Sequence, residues 1–265
     1  MRIDVLGVGV HNCDEDGAVE AIQGFLREQP SRLHQVVTVN PEFVMEARRN
    51  PAFRKVVNTA DLATPDGAGI ILAGRLMGRP FKGRATGVAI VDRLAALSAQ
   101  DGYRLFLLGA APGVAEQAAR EFARRYPGVQ IAGTYAGSPR DEDWPEIKQC
   151  IEAAQPDMLL VAYGAPGQDL WIKRHKDELP ASVKVAMGVG GVFDYVSGRV
   201  PLAPAMWRRL GLEWLYRLVK QPWRWRRIIK VMIFGAIVLI RGRGSGVGGR
   251  ERQDADPRPP TPGPS

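Results

Sequence analysis

Cysteine is nearly missing from this chain: Cys13 and Cys150 are the only two in 265 residues. That excludes a disulfide framework and a multi-cysteine structural zinc site, and it suits a reducing compartment. Histidine is almost as scarce. His11, His34 and His175 are scattered, without the spacing of a metal centre or of a Ser/His/Asp relay. No Walker loop occurs, and Gly7-Val8-Gly9 lacks the third glycine of a dinucleotide fingerprint, which leaves a P-loop enzyme or a soluble dehydrogenase without support. Met1-Arg2-Ile3-Asp4-Val5 carries an acid where a secretory signal needs an apolar core, so the expectation is a protein that is not exported. No internal repeat is visible, and no apolar run reaches the roughly 20 residues of a bilayer-spanning helix.

What the chain does have is a basic, tryptophan-rich segment near its C-terminus. Between Arg208 and Lys230 lie eight Lys/Arg and one acid, Glu213, which accounts for much of the formal net charge of +8. Trp207, Trp214, Trp223 and Trp225 are interleaved with these cations, and the short apolar run Ile228–Ile240 follows, interrupted by Lys230. Cations beside indoles favour an anionic membrane surface, because the ring settles at headgroup level while Arg and Lys meet lipid phosphates. The segment is therefore expected to lie in one leaflet without crossing. An ordinary C-terminal helix packed on the core is the competing reading. Cations among aromatics also suit single-stranded nucleic acid, but RNA gives no reason for the apolar run, and no nucleic-acid partner is expected. Apolar surface on the appendage would also favour a homo-oligomer that hides it.

Short apolar runs alternate with amphipathic stretches, as in a sheet wrapped by helices. Strands are expected over Ile3–Val8, Gln35–Val39, Leu62–Thr64, Arg104–Leu108, Gln130–Thr134, Met158–Ala162 and Val183–Met187. Helices are expected over Glu15–Arg27, Pro41–Arg49, Ala52–Asn58, Gly67–Met77, Gly87–Ala99, Gly113–Tyr126, Asp141–Ala154 and Gln168–Asp177, with Asp14 and Asp141 as caps. The fold class is α/β: a Rossmann-like, mostly parallel sheet with flanking helices over 1–203, then a membrane-associating appendage over 204–241. Residues 242–265, rich in Gly and Pro and poor in apolar side chains, read as a disordered tail.

In open parallel sheets a ligand lies beyond the carboxyl ends of the strands. Those ends read Thr38-Val39-Asn40, Pro65-Asp66-Gly67-Ala68-Gly69, Gly109-Ala110-Ala111-Pro112-Gly113, Gly164-Ala165-Pro166-Gly167-Gln168 and Gly188-Val189-Gly190-Gly191. Glycine there is often only a turn, but its recurrence at almost every strand end points to a nucleotide. Asp66, after a strand and flanked by small residues, is a candidate general base and equally a helix N-cap. Asp194 fits a site residue or a cap, with the cap preferred, and the pairs Asp14/Asp16 and Asp141/Asp143 read as caps despite their Asp-x-Asp spacing.

Together these residues resemble the WecG/TagA/CpsF family of glycosyltransferases over roughly residues 3–229. The resemblance also rests on Arg84-Ala85-Thr86-Gly87, Gly164–Trp171, Val192-Phe193-Asp194 and Gly211-Leu212-Glu213-Trp214-Leu215-Tyr216-Arg217-Leu218, followed by Pro222, Arg224 and Arg227. It implies an inverting transfer, without metal or cofactor, from a UDP-sugar to a sugar on a polyprenyl diphosphate in cell-envelope polysaccharide synthesis. N-acetylmannosamine is the favoured donor sugar and GlcNAc the acceptor. The resemblance assigns catalytic roles to Asp66, as base, and Thr38. It gives substrate-binding roles to Asn40, Arg84, Gly109, Gly164, Gln168, Gly190, Arg217, Arg224 and Arg227. It implies a cytoplasmic protein held peripherally at the inner face of the plasma membrane.

The chain departs from the family pattern at Ala89, where an Asp is usual, and at Gly167 and Asp169, where Lys and Glu are usual. It departs again at Leu202 and Gln221. The changes at Gly167 and Asp169 are the one support for an alternative, a non-catalytic protein binding nucleotide or lipid at the membrane.

Overall fold

The computed structural model describes residues 1–29, 32–201, 204, 206–207 and 225–244, with backbone alone for 225–228 and 241–244. At the N-terminus, β1 (Arg2–Val5) and β2 (Val8–His11) form an antiparallel hairpin apart from the main sheet. This corrects the single strand expected over Ile3–Val8. Leu6 and Gly7 both take positive φ (56° and 90°) and make a two-residue turn of the kind that joins twisted strands. The turn lacks an Asn-Gly or Asp-Gly signal, and its leucine is buried, so its composition reads as strand.

After α1 (Glu15–Arg27), six parallel strands build the main sheet: β3 (His34–Val39), β4 (Leu62–Pro65), β5 (Arg104–Gly109), β6 (Gln130–Tyr135), β7 (Met158–Ala162) and β8 (Val185–Gly188). Their order is β4-β3-β8-β7-β5-β6. Strands covered on both faces need apolar residues at successive positions, and β7, Met-Leu-Leu-Val-Ala, is buried throughout. Alternate residues serve opposite layers. Leu105, Leu107, Met158 and Leu160 face α1, α5 (Gly87–Asp101), α6 (Val114–Arg125) and the short α9 (Val192–Val196). Phe106, Leu108, Leu159 and Val161 face α7 (Trp144–Ala154) and α8 (Gly167–His175). Val37, Val39 and Ala63 face the hairpin, α2 (Pro41–Arg49), α3 (Pro51–Thr59) and α4 (Ala68–Leu76).

The last described element, α10 (Trp225–Gly244), packs on α2 and α4 and inserts Phe234 and Val238 into that third cluster. Burial of these two side chains contributes about 2 kcal/mol each. No helix among the described residues is long and apolar enough to cross a membrane. Caps set several boundaries. Asp14 accepts from the Gly17 N–H at 3.0 Å, and Asn40 accepts from Phe43 at 3.0 Å with Pro41 behind it. Asp141 does not cap α7: it starts a 3-10 turn and pairs with Arg174, and α7 begins after Asp143 without a side-chain cap. Asp194 is not a cap either, because Gly191 holds the N-cap position of α9 and Asp194 lies within the helix, 4.0 Å from Arg199.

Candidate functional site

From β3 the chain moves toward one edge of the sheet, and from β5 toward the other. Such a reversal leaves a crevice over the carboxyl ends of the strands between them. A cavity of about 290 Å³ occupies that position. Thr38 and Asn40 after β3, Asp66 after β4, Gly164 and Gln168 after β7, and Gly190 and Gly191 after β8 all line it.

Asp66 sits where two loops are pinned together. Its N–H donates to the Val39 carbonyl at 2.8 Å, the Ala85 N–H donates to Pro65 at 2.9 Å, and the Thr64 hydroxyl donates to the Ala85 carbonyl at 3.1 Å. These bonds hold the turn Arg84-Ala85-Thr86-Gly87 against the end of β4. Asp66 does not cap its own helix: α4 starts from Gly67 (φ 88°), with no side-chain cap. Its carboxylate instead faces the N-terminus of α5, 3.5 Å from the Gly87 N–H. Thr38 reaches the same glycine, since a Cβ on Gly87 would stand 3.6 Å from both Thr38 Oγ1 and Cγ2. Asp66 and Thr38 thus converge on one helix end.

Gln168 plays a different part. It is 2% exposed, and its Oε1 accepts from the N–H groups of Gly164 (3.2 Å) and Gly190 (2.9 Å). One amide oxygen thereby ties the loop after β7 to the loop after β8. On the other side, a Cβ added to Gly188 would lie 2.5 Å from Gln168 Nε2 and 2.6 Å from Asp169 Oδ1. Glycine is required there so that both side chains can lie across β8. Asp169 is fully buried and its carboxyl makes no conventional hydrogen bond. Burial pushes it up to about 7, and the neighbouring Gln168 amide offsets part of the shift.

Among the described residues, Arg84 and Gly109 do not line the cavity. Arg84 stands in the turn that backs Asp66. Gly109 ends β5 with φ 96°, and a Cβ there would meet Tyr163 Cδ1 at 2.9 Å, so the tyrosine ring covers this crest. Arg217 and Arg224 lie outside the described residues; Arg227 belongs to α10 by its backbone, and its side chain lies outside them. The lining also includes Glu42, Glu46, Tyr195 and Lys230, which the sequence did not bring forward. Lys230, read there as a break in an apolar run, reaches Glu46 of α2 at 3.4 Å. Glu42 and Glu46 recur at helical spacing just after Asn40, a signal that was readable, whereas Tyr195 lies on a five-residue helix too short to show periodicity.

The histidines are structural. His11 accepts from the Ala63 N–H at 2.9 Å, and burial followed by the Arg2 charge lowers it to about 4. His34 stacks on Phe25 and His175 on Trp144, both lowered mainly by burial. Among the described residues no three His, Cys, Asp or Glu side chains gather as a metal-ligand set.

Three helix N-termini, those of α2, α5 and α8, therefore meet around a cavity that holds a carboxylate and a hydroxyl. Several of their first N–H groups are engaged within the protein: Phe43 donates to Asn40, Gly87 to Asp66, Ala89 to Thr86 and Gln168 to the Gly164 carbonyl. Residues 3–246 match the model of the glycosyl transferase WecG/TagA/CpsF family. A protein of Bacillus spizizenii named N-acetylglucosaminyldiphosphoundecaprenol N-acetyl-beta-D-mannosaminyltransferase is 37% identical over 79% of this chain and 80% of its own length. Proteins of the same name from Bacillus subtilis (33%, over 77% of this chain and 78% of theirs) and Staphylococcus aureus (33%, over 86% and 87%) are also similar. With the match spanning nearly the whole chain, this protein belongs to the WecG/TagA/CpsF family and is a glycosyltransferase.

Proposed function

We propose that the protein transfers N-acetylmannosamine from UDP to a GlcNAc carried on a polyprenyl diphosphate, with inversion at the anomeric carbon and without a metal. The observation that carries this reading is the convergence of Asp66 and Thr38 on the N-terminus of α5, inside a cavity rimmed by the glycine loops that Gln168 ties together. Asp66 accepts the proton of the acceptor hydroxyl as its oxygen attacks the anomeric carbon. The bond to UDP breaks on the opposite face, and the departing diphosphate takes up the electron pair. Its negative charge needs cationic or N–H partners. We assign that positive charge to Arg217, Arg224 and Arg227 of the appendage. Thr38 orients the reacting hydroxyl, and Asn40 has an amide NH2 to offer the sugar because its oxygen is engaged as a cap.

The acceptor's tail stays in a bilayer, which agrees with a basic segment at 208–230 and with α10 at the cavity rim. We place the protein at the cytoplasmic face of the plasma membrane, with residues 204–241 as the membrane-associating appendage. The test is UDP release from a panel of UDP-sugars, with a synthetic GlcNAc-diphospho-lipid and EDTA present. Acceptor-dependent release from UDP-N-acetylmannosamine alone is the expected result. Release from another donor would replace the sugar, and loss of release in EDTA would overturn the metal-free mechanism.

A further inference from the structure

Large apolar side chains are exposed in a concentrated way. Among the described residues, Leu72 (55%) and Leu76 (40%) stand out on α4, and Ile229, Met232, Ile233, Leu239 and Ile240 on α10. These two helices pack against each other. Leu72 and Leu76 are four residues apart, so they share one face of α4. Along α10, positions 229, 232, 233, 236 and 240 follow helical spacing and form an outward stripe, while Phe234 and Val238 occupy the inward one. A helix that is apolar on both sides has a second apolar neighbour to satisfy.

The charges around α4 identify that neighbour. Between Gly67 and Val91 there is no acid but four cations, Arg75, Arg79, Lys82 and Arg84. Arg75, Arg79 and Lys82 are exposed, as the two leucines are, with Asp14 packed against Gly83 next to Lys82. A symmetric pairing of two copies through this surface would bring like charges together. An anionic lipid surface takes up both the leucines and the cations. Both helices also lie near the cavity: α4 starts two residues after Asp66, which lines it, and Lys230 of α10 lines the wall.

We propose that α4 is a second membrane-docking element. Leu72 and Leu76 enter the headgroup boundary of an anionic bilayer, with Arg75, Arg79 and Lys82 on the lipid phosphates. Together with α10 they fix the protein's tilt, so that the cavity opens toward the lipid-borne acceptor. This rests on the membrane reading of the appendage, which one anchored helix would satisfy without setting orientation.

The experiment is vesicle flotation of the full chain on phosphatidylcholine with and without phosphatidylglycerol, comparing wild type with Leu72→Ser/Leu76→Ser and with Arg75→Gln/Arg79→Gln. These side chains are exposed, so unchanged melting temperatures are expected. Affinity for phosphatidylglycerol vesicles should fall about tenfold in each variant. A fluorophore on Leu72→Cys, protected by lipid and not by protein alone, would place the helix in the bilayer even if the serine variant folds poorly. Wild-type binding matched by both variants, with the fluorophore left in water, would overturn the role of α4 and leave the appendage reading intact. Failure of wild type to float would overturn both. A wild-type dimer that the leucine variant dissociates would assign the surface to a second copy instead.

Discussion

At the carboxyl edge of the sheet, the loops after β7 and β8 stand around an open cavity, whereas the loop after β5, equally rich in glycine, is covered by a tyrosine. The difference lies in what each glycine admits. At Gly188 the missing Cβ leaves room for Gln168 and Asp169, and Gln168 then holds the Gly164 and Gly190 N–H groups at the rim of the site. At Gly109 the missing Cβ leaves room for Tyr163, whose ring joins the aromatic group with Trp171. One crest uses glycine to build a site and the other to complete a core.

Substitutions can break this contrast. The largest effect is expected for Gln168→Ala. It removes the one oxygen that ties the two loops, and turnover should fall roughly a hundredfold with little loss of melting temperature. A variant that retains turnover would mean that the loops hold their places without it, and one that unfolds would make Gln168 a support of the fold instead of the site. Next comes Phe234→Ala, which should cost about 3 kcal/mol of local stability by emptying the contact of α10 with α2 and α4. Hydrogen exchange in α10 and α2 should rise while the β5 crest is unchanged. Gly109→Ala meets both a positive φ and the Tyr163 ring. It should lower stability by on the order of 2 kcal/mol and leave donor KM as it is; a raised donor KM would bring that crest back into the site.

The smallest effect concerns the buried carboxyl. Asp169 has a folded-state pKa raised from 3.8 to about 7. Its contribution to stability is thus fully present below pH ~4 and is lost as pH rises through 7. Asp169→Asn removes that titration, so the melting temperature of the variant relative to wild type should climb between pH 5 and pH 8. A constant difference across that range would show that the carboxyl is already ionised in the fold at pH 5, with its pKa not raised by burial.

Much of the frame was readable because local chemistry decided it. Asp14 and the pair Asn40-Pro41 fix the starts of α1 and α2, and the expected bounds of both helices match those of the structure. The doubly covered strands declared themselves as apolar runs, and strand ends led to Thr38, Asn40, Asp66 and Gln168. The hairpin escaped because Leu6 takes a left-handed conformation that its side chain does not advertise. Gly109 and Gly188 look alike in sequence, and only the tertiary neighbour tells them apart. Lys230 and Glu46 are 184 residues apart, and their pairing depends on where α10 docks, which no local pattern encodes.

The central claim is that Asp66 is the base for glycosyl transfer. The most direct measurement is acceptor-dependent UDP release by Asp66→Asn, with donor binding followed by calorimetry on the same preparation. The account predicts turnover reduced roughly a thousandfold with donor affinity within a few-fold of wild type. Turnover close to wild type would contradict it and would move the proton transfer to another group at the cavity.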